Sequence, residues 1–240
     1  MDSQLMHIYN QLHSRYGNLN WWPANSPYEV IVGAILTQNT NWGNVEKAMA
    51  NFNGDITPER VLAMAPEDLK DIIRPAGFFN QKAVYLKAVT QWYQRYDFSV
   101  AKVRAVPLEK IRPELLAVRG IGNETADSIL LYAFNFPTFV IDKYTQRFCS
   151  RYPIHAGKDY MAVKSYFEAN LPRDEALFNN YHALIVINAK YHCGAKINCT
   201  DCPLDIYCQK LGHSPSRRKR KRALPVVAAG FGAEPHFKEA

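Results

Sequence analysis

No stretch of this 240-residue chain reaches the roughly 18 consecutive apolar residues that a membrane helix needs. Its first residues, MDSQLMHIYN, lack the basic-then-apolar order of a secretory leader. No alternating apolar and polar run of strand length occurs, and no segment repeats. Cysteine is scarce, at five residues, four of them packed near the end. These absences argue against a membrane protein, a disulfide-stapled secreted scaffold, a β-fold and a solenoid. What remains is an ordinary globular composition, 48% hydrophobic and 21% charged, long enough for one large domain or two small ones. The cytoplasm is the expected compartment.

Acidic residues are outnumbered, 22 to 29, but the surplus is local. Residues 214–240 carry +5 of the net +7, chiefly in the run Arg217–Arg222, and residues 1–213 carry only +2. The run reads as a flexible basic tail adding sequence-independent, salt-sensitive attraction to nucleic acid, or as a solubilising end with no further role. A nearly neutral body must meet any polyanion through a local patch.

The apolar spacing is helical almost throughout. Leu5, Ile8, Tyr9 and Leu12 recur by threes and fours over 4–16. Ser26-Pro27-Tyr28-Glu29 is a capping-box start with proline at the first helical position, and it launches the apolar run Val30–Leu36. Thr57-Pro58-Glu59 opens a helix that ends before Pro66, residues 81–96 are amphipathic, and Pro107 and Pro113 punctuate the next segment. Residues 124–134, 143–152, 158–170 and 174–191 also read as helix. The fold class is all-α.

Cys193, Cys199, Cys202 and Cys208 form C-x5-C-x2-C-x5-C within sixteen residues. In a reducing compartment such clustering favours a metal site, and four thiolates suit either zinc or a [4Fe-4S] cluster. Spacing alone leaves the two open. Cys149, in an apolar helical context, reads as a structural thiol. His192, beside the first ligand, reads as a helix-end residue or a group supporting the site.

Between 115 and 147 the text is LLAVRGIGNETADSILLYAFNFPTFVIDKYTQR. Gly120-Ile121-Gly122 turns one helix into another that begins near Asn123, and its amides can bind a phosphate. No Gly-Lys-Ser/Thr follows, so it is not a nucleotide P-loop. Eighteen residues beyond Glu124, Asp142 follows the strand-like apolar segment Val140-Ile141. Its oxygens suit either catalysis or the capping of a helix starting at Lys143.

Together the G-I-G hairpin, the downstream aspartate and the four-cysteine end resemble the endonuclease III branch of the helix-hairpin-helix DNA glycosylases, from about residue 5 to 210. The resemblance implies a two-lobed helical fold. Residues 1–22 with 134–212 would form the cluster-bearing lobe, and 23–133 a helical barrel with its hairpin at about 112–133. Residues 213–240 would be the tail. It implies a [4Fe-4S] cluster on the four cysteines and leaves room for a monovalent cation at the hairpin. It also implies a monomer that works on double-stranded DNA containing a damaged base, without a membrane, at the bacterial nucleoid.

Such enzymes flip the damaged nucleotide out of the duplex and break its N-glycosidic bond. Positive charge develops on the sugar, so a carboxylate is the natural catalyst, and Asp142 matches the family's aspartate. Members that also cut the backbone carry a lysine after the hairpin, where this chain has Glu124, which cannot form an imine. Gly120, Gly122, Asn123, Thr125 and Lys143 would contact DNA. Gln38 matches the glutamine that fills the hole left by the flipped base, and Phe78 matches a wedge on the opposite strand.

Trp21-Trp22-Pro23 and Trp42, with SPYEVIVGAILTQNT between, resemble the bacterial 3-methyladenine glycosylases of this scaffold. There, residues matching Trp21 and Trp42 sandwich the base, with those matching Trp22 and Pro23 beside them. Indole faces attract a cationic alkylpurine by roughly 0.5–2 kcal/mol each. The chain departs from that branch in keeping the four cysteines, and its first cysteine interval is one residue shorter than the usual endonuclease III spacing. The expected enzyme is a monofunctional glycosylase of base excision repair, acting on alkylated purines such as 3-methyladenine. The rival readings are an oxidised-pyrimidine or mismatch glycosylase with weak lyase activity, and a non-catalytic lesion-binding protein.

Overall fold

The computed structural model describes residues 3–19, 21–152, 154, 156–194, 197–206 and 208; the basic run and the rest of the tail lie outside them. Twelve α-helices account for most of what is described, and no strand occurs among the described residues. They are α1 (Ser3–Tyr16), α2 (Pro27–Leu36), α3 (Trp42–Ala50), α4 (Pro58–Ala63), α5 (Pro66–Ile73) and α6 (Phe79–Gln94). Then come α7 (Val100–Arg104), α8 (Leu108–Leu116), α9 (Asn123–Ser128), α10 (Lys143–Arg151), α11 (Tyr160–Asn170) and α12 (Glu175–Tyr191).

The helices start where side chains can satisfy their first amides. Ser26 accepts the Glu29 N–H at 3.1 Å, and Asp159 and Asp174 do the same for α11 and α12. Beyond Glu29, whose carboxylate accepts the Asn25 N–H at 2.8 Å, helix α2 is apolar on all sides, and every residue from Tyr28 to Leu36 is buried. It therefore runs through the middle, packed on α3, α6 and the segment after α9. Helices α1 and α10 pack on α12. One continuous apolar cluster joins these groups.

Three expectations need correction. Residues 124–134 are not one regular helix: α9 passes into a π-helical turn, Ile129–Ala133. The wider turn shifts the register of the side chains that follow, a feature common at functional sites. The strand-like residues before Asp142 form no strand. Instead, the Phe139 N–H donates to Glu168 Oε1 at 2.8 Å and the Ile141 N–H to the Tyr160 hydroxyl at 3.4 Å. Pro113 does not interrupt its segment but stands, exposed, inside α8.

Candidate active site

Asp142 is the N-cap of α10, and its Oδ1 accepts the Thr145 N–H at 2.6 Å. The side chain is 14% exposed, and Oδ2 lies 3.8 Å from His182 Nε2. Burial acts to raise the Asp142 pKa, but His182 and the Thr145 amide outweigh it and hold the carboxyl below its usual value. Capping thus occupies one oxygen of the carboxylate and leaves the other facing His182.

His182, from α12, and Tyr132, from the π turn, were not legible as site residues. The Tyr132 hydroxyl and His182 Nδ1 are 2.6 Å apart, and both side chains are buried. A histidine within the apolar helix text YHALIVIN was the one available signal. Glu124, in the first turn of α9, is exposed to solvent over much of its surface; the neighbouring protein partly desolvates its carboxyl and, with the charge of Asp142, raises its pKa against the pull of His182 and Lys143. Lys143 is exposed beside Asp142.

The aromatic residues meet in an order the sequence did not suggest. Trp22 is the hub: its ring lies 5.0 Å from that of Tyr132 and meets Trp42 edge-on at 5.7 Å. Gly33 on α2 makes room for both, since a Cβ there would stand 3.2 Å from Trp22 Nε1 and 3.5 Å from the Trp42 ring. The Trp22 indole N–H is buried without a hydrogen-bond partner. Trp21 and Trp22, with Tyr132, Asn25, Asn135 and Asn179, line a cavity of about 380 Å³. Trp42 and Asp142 are not among its lining residues, and Pro23 is exposed.

At the hairpin the two glycines serve different ends. Gly120 has φ +84°, and a Cβ there would fall 2.2 Å from the Tyr85 ring, so both backbone and packing require glycine. Gly122 is exposed, with nothing within 4 Å of a Cβ, which leaves the backbone open to approach. Thr125 is buried, and its hydroxyl accepts from Gln38 Nε2 at 3.1 Å; any touch on DNA would come through its neighbours. Gln38 also donates to the Gly120 carbonyl at 3.0 Å, so it is tied to the hairpin. Asn123 Oδ1 accepts from Arg112, which also grips the fully buried Asp127 at 2.8 and 2.9 Å. Tyr160, Thr138 and Lys164 complete that buried knot. It fastens α8, α9 and α11 together behind the hairpin.

Phe78 is 61% exposed and sits in the left-handed region at φ +47°, a conformation that costs about 1–3 kcal/mol for a bulky residue. Phe79, next to it, is half-buried under Arg74. The buried Lys82 ammonium donates to the Leu36 and Ala76 carbonyls at 2.8 Å each. Those carbonyls stand two residues before Gln38 and Phe78, so one side chain braces both loops.

The four cysteines are half-buried. Cys193, Cys202 and Cys208 line one small cavity with Phe148, Arg151 and Leu204, and Cys199 bears electrostatically on Cys193 and Cys202. Among the described residues no group of three or more His, Cys, Asp or Glu already stands at metal-holding spacing. The donor chemistry nonetheless suits a thiolate-bound centre: Cys193, Cys202 and Cys208 share one cavity, and burial pushes the Cys202 thiol up to about 11, a penalty that a bound cation reverses. His192 is more than a helix end: its ring bridges the Asn198 carbonyl at 2.9 Å and the Tyr16 hydroxyl at 3.2 Å. Burial pushes the half-buried Cys149 thiol up to about 12, in keeping with a structural role.

Residues 32–173 match the family described as HhH-GPD superfamily base excision DNA repair protein. A Methanocaldococcus jannaschii protein provisionally named a DNA repair glycosylase is 45% identical over 206 residues, covering 84% of this chain and 94% of its own. The Helicobacter pylori 3-methyladenine DNA glycosylase MagIII, solved with 1,N6-ethenoadenine, superposes with a TM-score of 0.66 at 26% identity, over 78% of this chain and 97% of that one. Endonuclease III in a non-covalent DNA complex shares the fold, with a TM-score of 0.73 at 21% identity, over 88% and 96% of the two chains. With its helical fold, hairpin and downstream aspartate accounted for, this chain belongs to the HhH-GPD superfamily of base excision DNA repair proteins and is a DNA glycosylase.

Proposed function

We propose that this glycosylase is monofunctional and releases alkylated purines, 3-methyladenine first among them, from double-stranded DNA by hydrolysis. The observation that carries the proposal is a pair of carboxylates. Asp142 is held ionised in a largely buried setting beside His182, and Glu124, not an amine, is close enough for the charge of Asp142 to bear on it. Ionised Asp142 stabilises the positive sugar as the N-glycosidic bond breaks. The bonding electrons pass to the purine and cancel the charge of an alkylated ring. Water adds its oxygen to C1′ and gives up a proton, through Asp142, to solvent. With no lysine after the hairpin, the abasic site is released uncut.

Trp21 and Trp22 would hold the base, with Trp42 backing Trp22 and Pro23 beside them. The cavity volume and neutral, amide-rich lining support a nucleobase as the guest. Gly120, Gly122 and Asn123 would meet a phosphate, together with Lys143, and a monovalent cation could share that turn. Thr125 would act there through Gln38. The exposed, strained Phe78 supports its reading as the wedge, and Gln38 would leave the hairpin to fill the vacated stack. Cys193, Cys199, Cys202 and Cys208 would hold a [4Fe-4S] cluster, whose contribution is to fix residues 193–208 against α10 and α12. The division into 1–22 with 134–212 and 23–133, and action as a monomer, belong to the same proposal.

Incubation with methylated duplex DNA and chromatography of the released bases tests it. Free 3-methyladenine, with no adduct after borohydride, is the expected result. Release of oxidised pyrimidines with a trapped adduct supports the endonuclease III-type reading, and no release from any lesion supports a binding protein.

A further inference from the structure

The chemistry assigned to Asp142 asks for something the catalytic aspartate cannot supply for itself. When DNA closes over the site, water leaves and an ionised carboxylate becomes harder to maintain. His182 stands where that cost can be met. It comes from the middle of α12, is 5% exposed, and its Nε2 is buried without any hydrogen-bond partner. An orphaned buried polar atom is uncommon in a folded protein and calls for a reason.

The other ring nitrogen shows which hydrogen Nε2 carries. Nδ1 and the Tyr132 hydroxyl are 2.6 Å apart. If Nδ1 of a neutral ring donated, a bare Nε2 lone pair would face the Asp142 carboxylate, an unfavourable pairing. With Tyr132 donating to Nδ1, the ring hydrogen sits on Nε2 and faces Asp142 Oδ2 across 3.8 Å. That gap is too long for a hydrogen bond and too short for an intervening water. A movement of about 1 Å closes it, as catalytic bonds commonly tighten only once substrate is bound.

We infer that His182, with its tautomer set by Tyr132, is a positioning residue that keeps Asp142 ionised and fixes its free oxygen while the substrate excludes water. The inference rests on the reading of Asp142 as the catalytic carboxylate. The groups facing Asp142 are His182 from α12, Tyr132 from the π turn, Glu124 from α9, and Lys143, Thr145 and Cys149 from α10. Glu124 pushes the carboxylate toward its protonated form, so His182 works against Glu124 as well as against burial. The π turn acquires a purpose: it brings Tyr132 to the ring that α12 presents.

The test is single-turnover base release from methylated duplex DNA between pH 4.5 and 8, with spontaneous loss subtracted, for the wild type, His182→Leu, His182→Gln, Tyr132→Phe and Asp142→Asn. The wild-type rate should hold on the acid side. His182→Leu should fall with an acid limb displaced upward by about one pH unit or more, because burial and Glu124 are then opposed by Thr145 alone. His182→Gln, whose amide can accept from Tyr132 and donate to Asp142, should recover most of the displacement, and Tyr132→Phe should lie between. Melting temperatures identify any variant that merely fails to fold, and for such a variant His182→Gln and Tyr132→Phe carry the test. A wild-type acid limb retained in His182→Leu, with the rate lowered equally at every pH, overturns the inference. Full base release by Asp142→Asn overturns instead the reading on which it rests.

Discussion

Asp142 accepts the backbone N–H of Thr145 at 2.6 Å while its second oxygen faces away from that amide toward His182, so the carboxylate assigned to catalysis is also the first structural element of α10. This double duty dictates how the residue should be probed. Asparagine keeps an acceptor for the cap and loses only the charge. Asp142→Asn should therefore fold with a melting temperature close to the wild type and bind lesion DNA, yet lose base release by at least about 100-fold. Asp142→Ala should lose a further ~1 kcal/mol of stability with the cap. Calorimetry beside base-release kinetics separates the two effects.

The reading of Glu124 as standing where a lyase would carry an amine is directly testable. Glu124→Lys should place a primary amine near Asp142 and the sugar, giving a borohydride-trapped adduct that the wild type lacks. Gel electrophoresis of the trapped complex reads this out. Absence of adduct in a folded Glu124→Lys would mean that the side chain does not reach C1′.

The hairpin glycines should respond in opposite ways. Gly120→Ala drives a Cβ into the Tyr85 ring at a positive φ and should cost about 1–3 kcal/mol of stability. Tyr85→Ala in the same chain should recover part of that. Gly122→Ala meets nothing and should fold within about 0.5 kcal/mol of the wild type. Its effect should appear in DNA affinity, measured by fluorescence anisotropy.

Asp127 sets an acid limit on the fold. Burial raises its pKa, but Arg112, Lys164 and Tyr160 bring it below the ordinary value. The stabilisation is therefore complete above the unfolded-state value of about 3.9 and is lost as pH falls through the lower native value. Asp127→Asn strips the part-buried Arg112 of its counter-charge and leaves the buried Lys164 with Glu168 alone, and should cost about 3–5 kcal/mol near neutrality. It should also flatten the acid side of the stability curve, read as urea midpoints against pH.

The cysteine centre is testable by composition. The purified protein should contain iron and acid-labile sulfide, and Cys202→Ser should lower both. Protease cleavage within 193–208 should rise in the same variant. Zinc with no sulfide would restore the alternative that the spacing left open.

Much of the architecture was readable from local pattern. The N-cap at Ser26, the apolar run Val30–Leu36 and the amphipathic spacing of α6 depend on residues within a few positions of each other and emerge as written, although the Glu29 carboxylate closes on the Asn25 N–H rather than on that of Ser26. The π turn did not, because Asn123–Ala133 carries the composition of an ordinary helix and only packing against α12 and α2 selects the wider turn. The cage around Asp127 was also invisible, since its members are drawn from residues 112 to 164.

The candidate site divides along the same line. Asp142, the Gly120–Gly122 turn and the cysteine spacing are contiguous text, and local chemistry suffices to mark them. That Trp22, not Trp21, meets Trp42, that Gly33 clears the space between them, and that His182 reaches the aspartate across forty residues follow only from how the helices pack. Chain order encodes which groups exist and how each short segment turns. Burial and close approach are set by contacts between distant segments, and those contacts choose which groups share a site and which charges they keep.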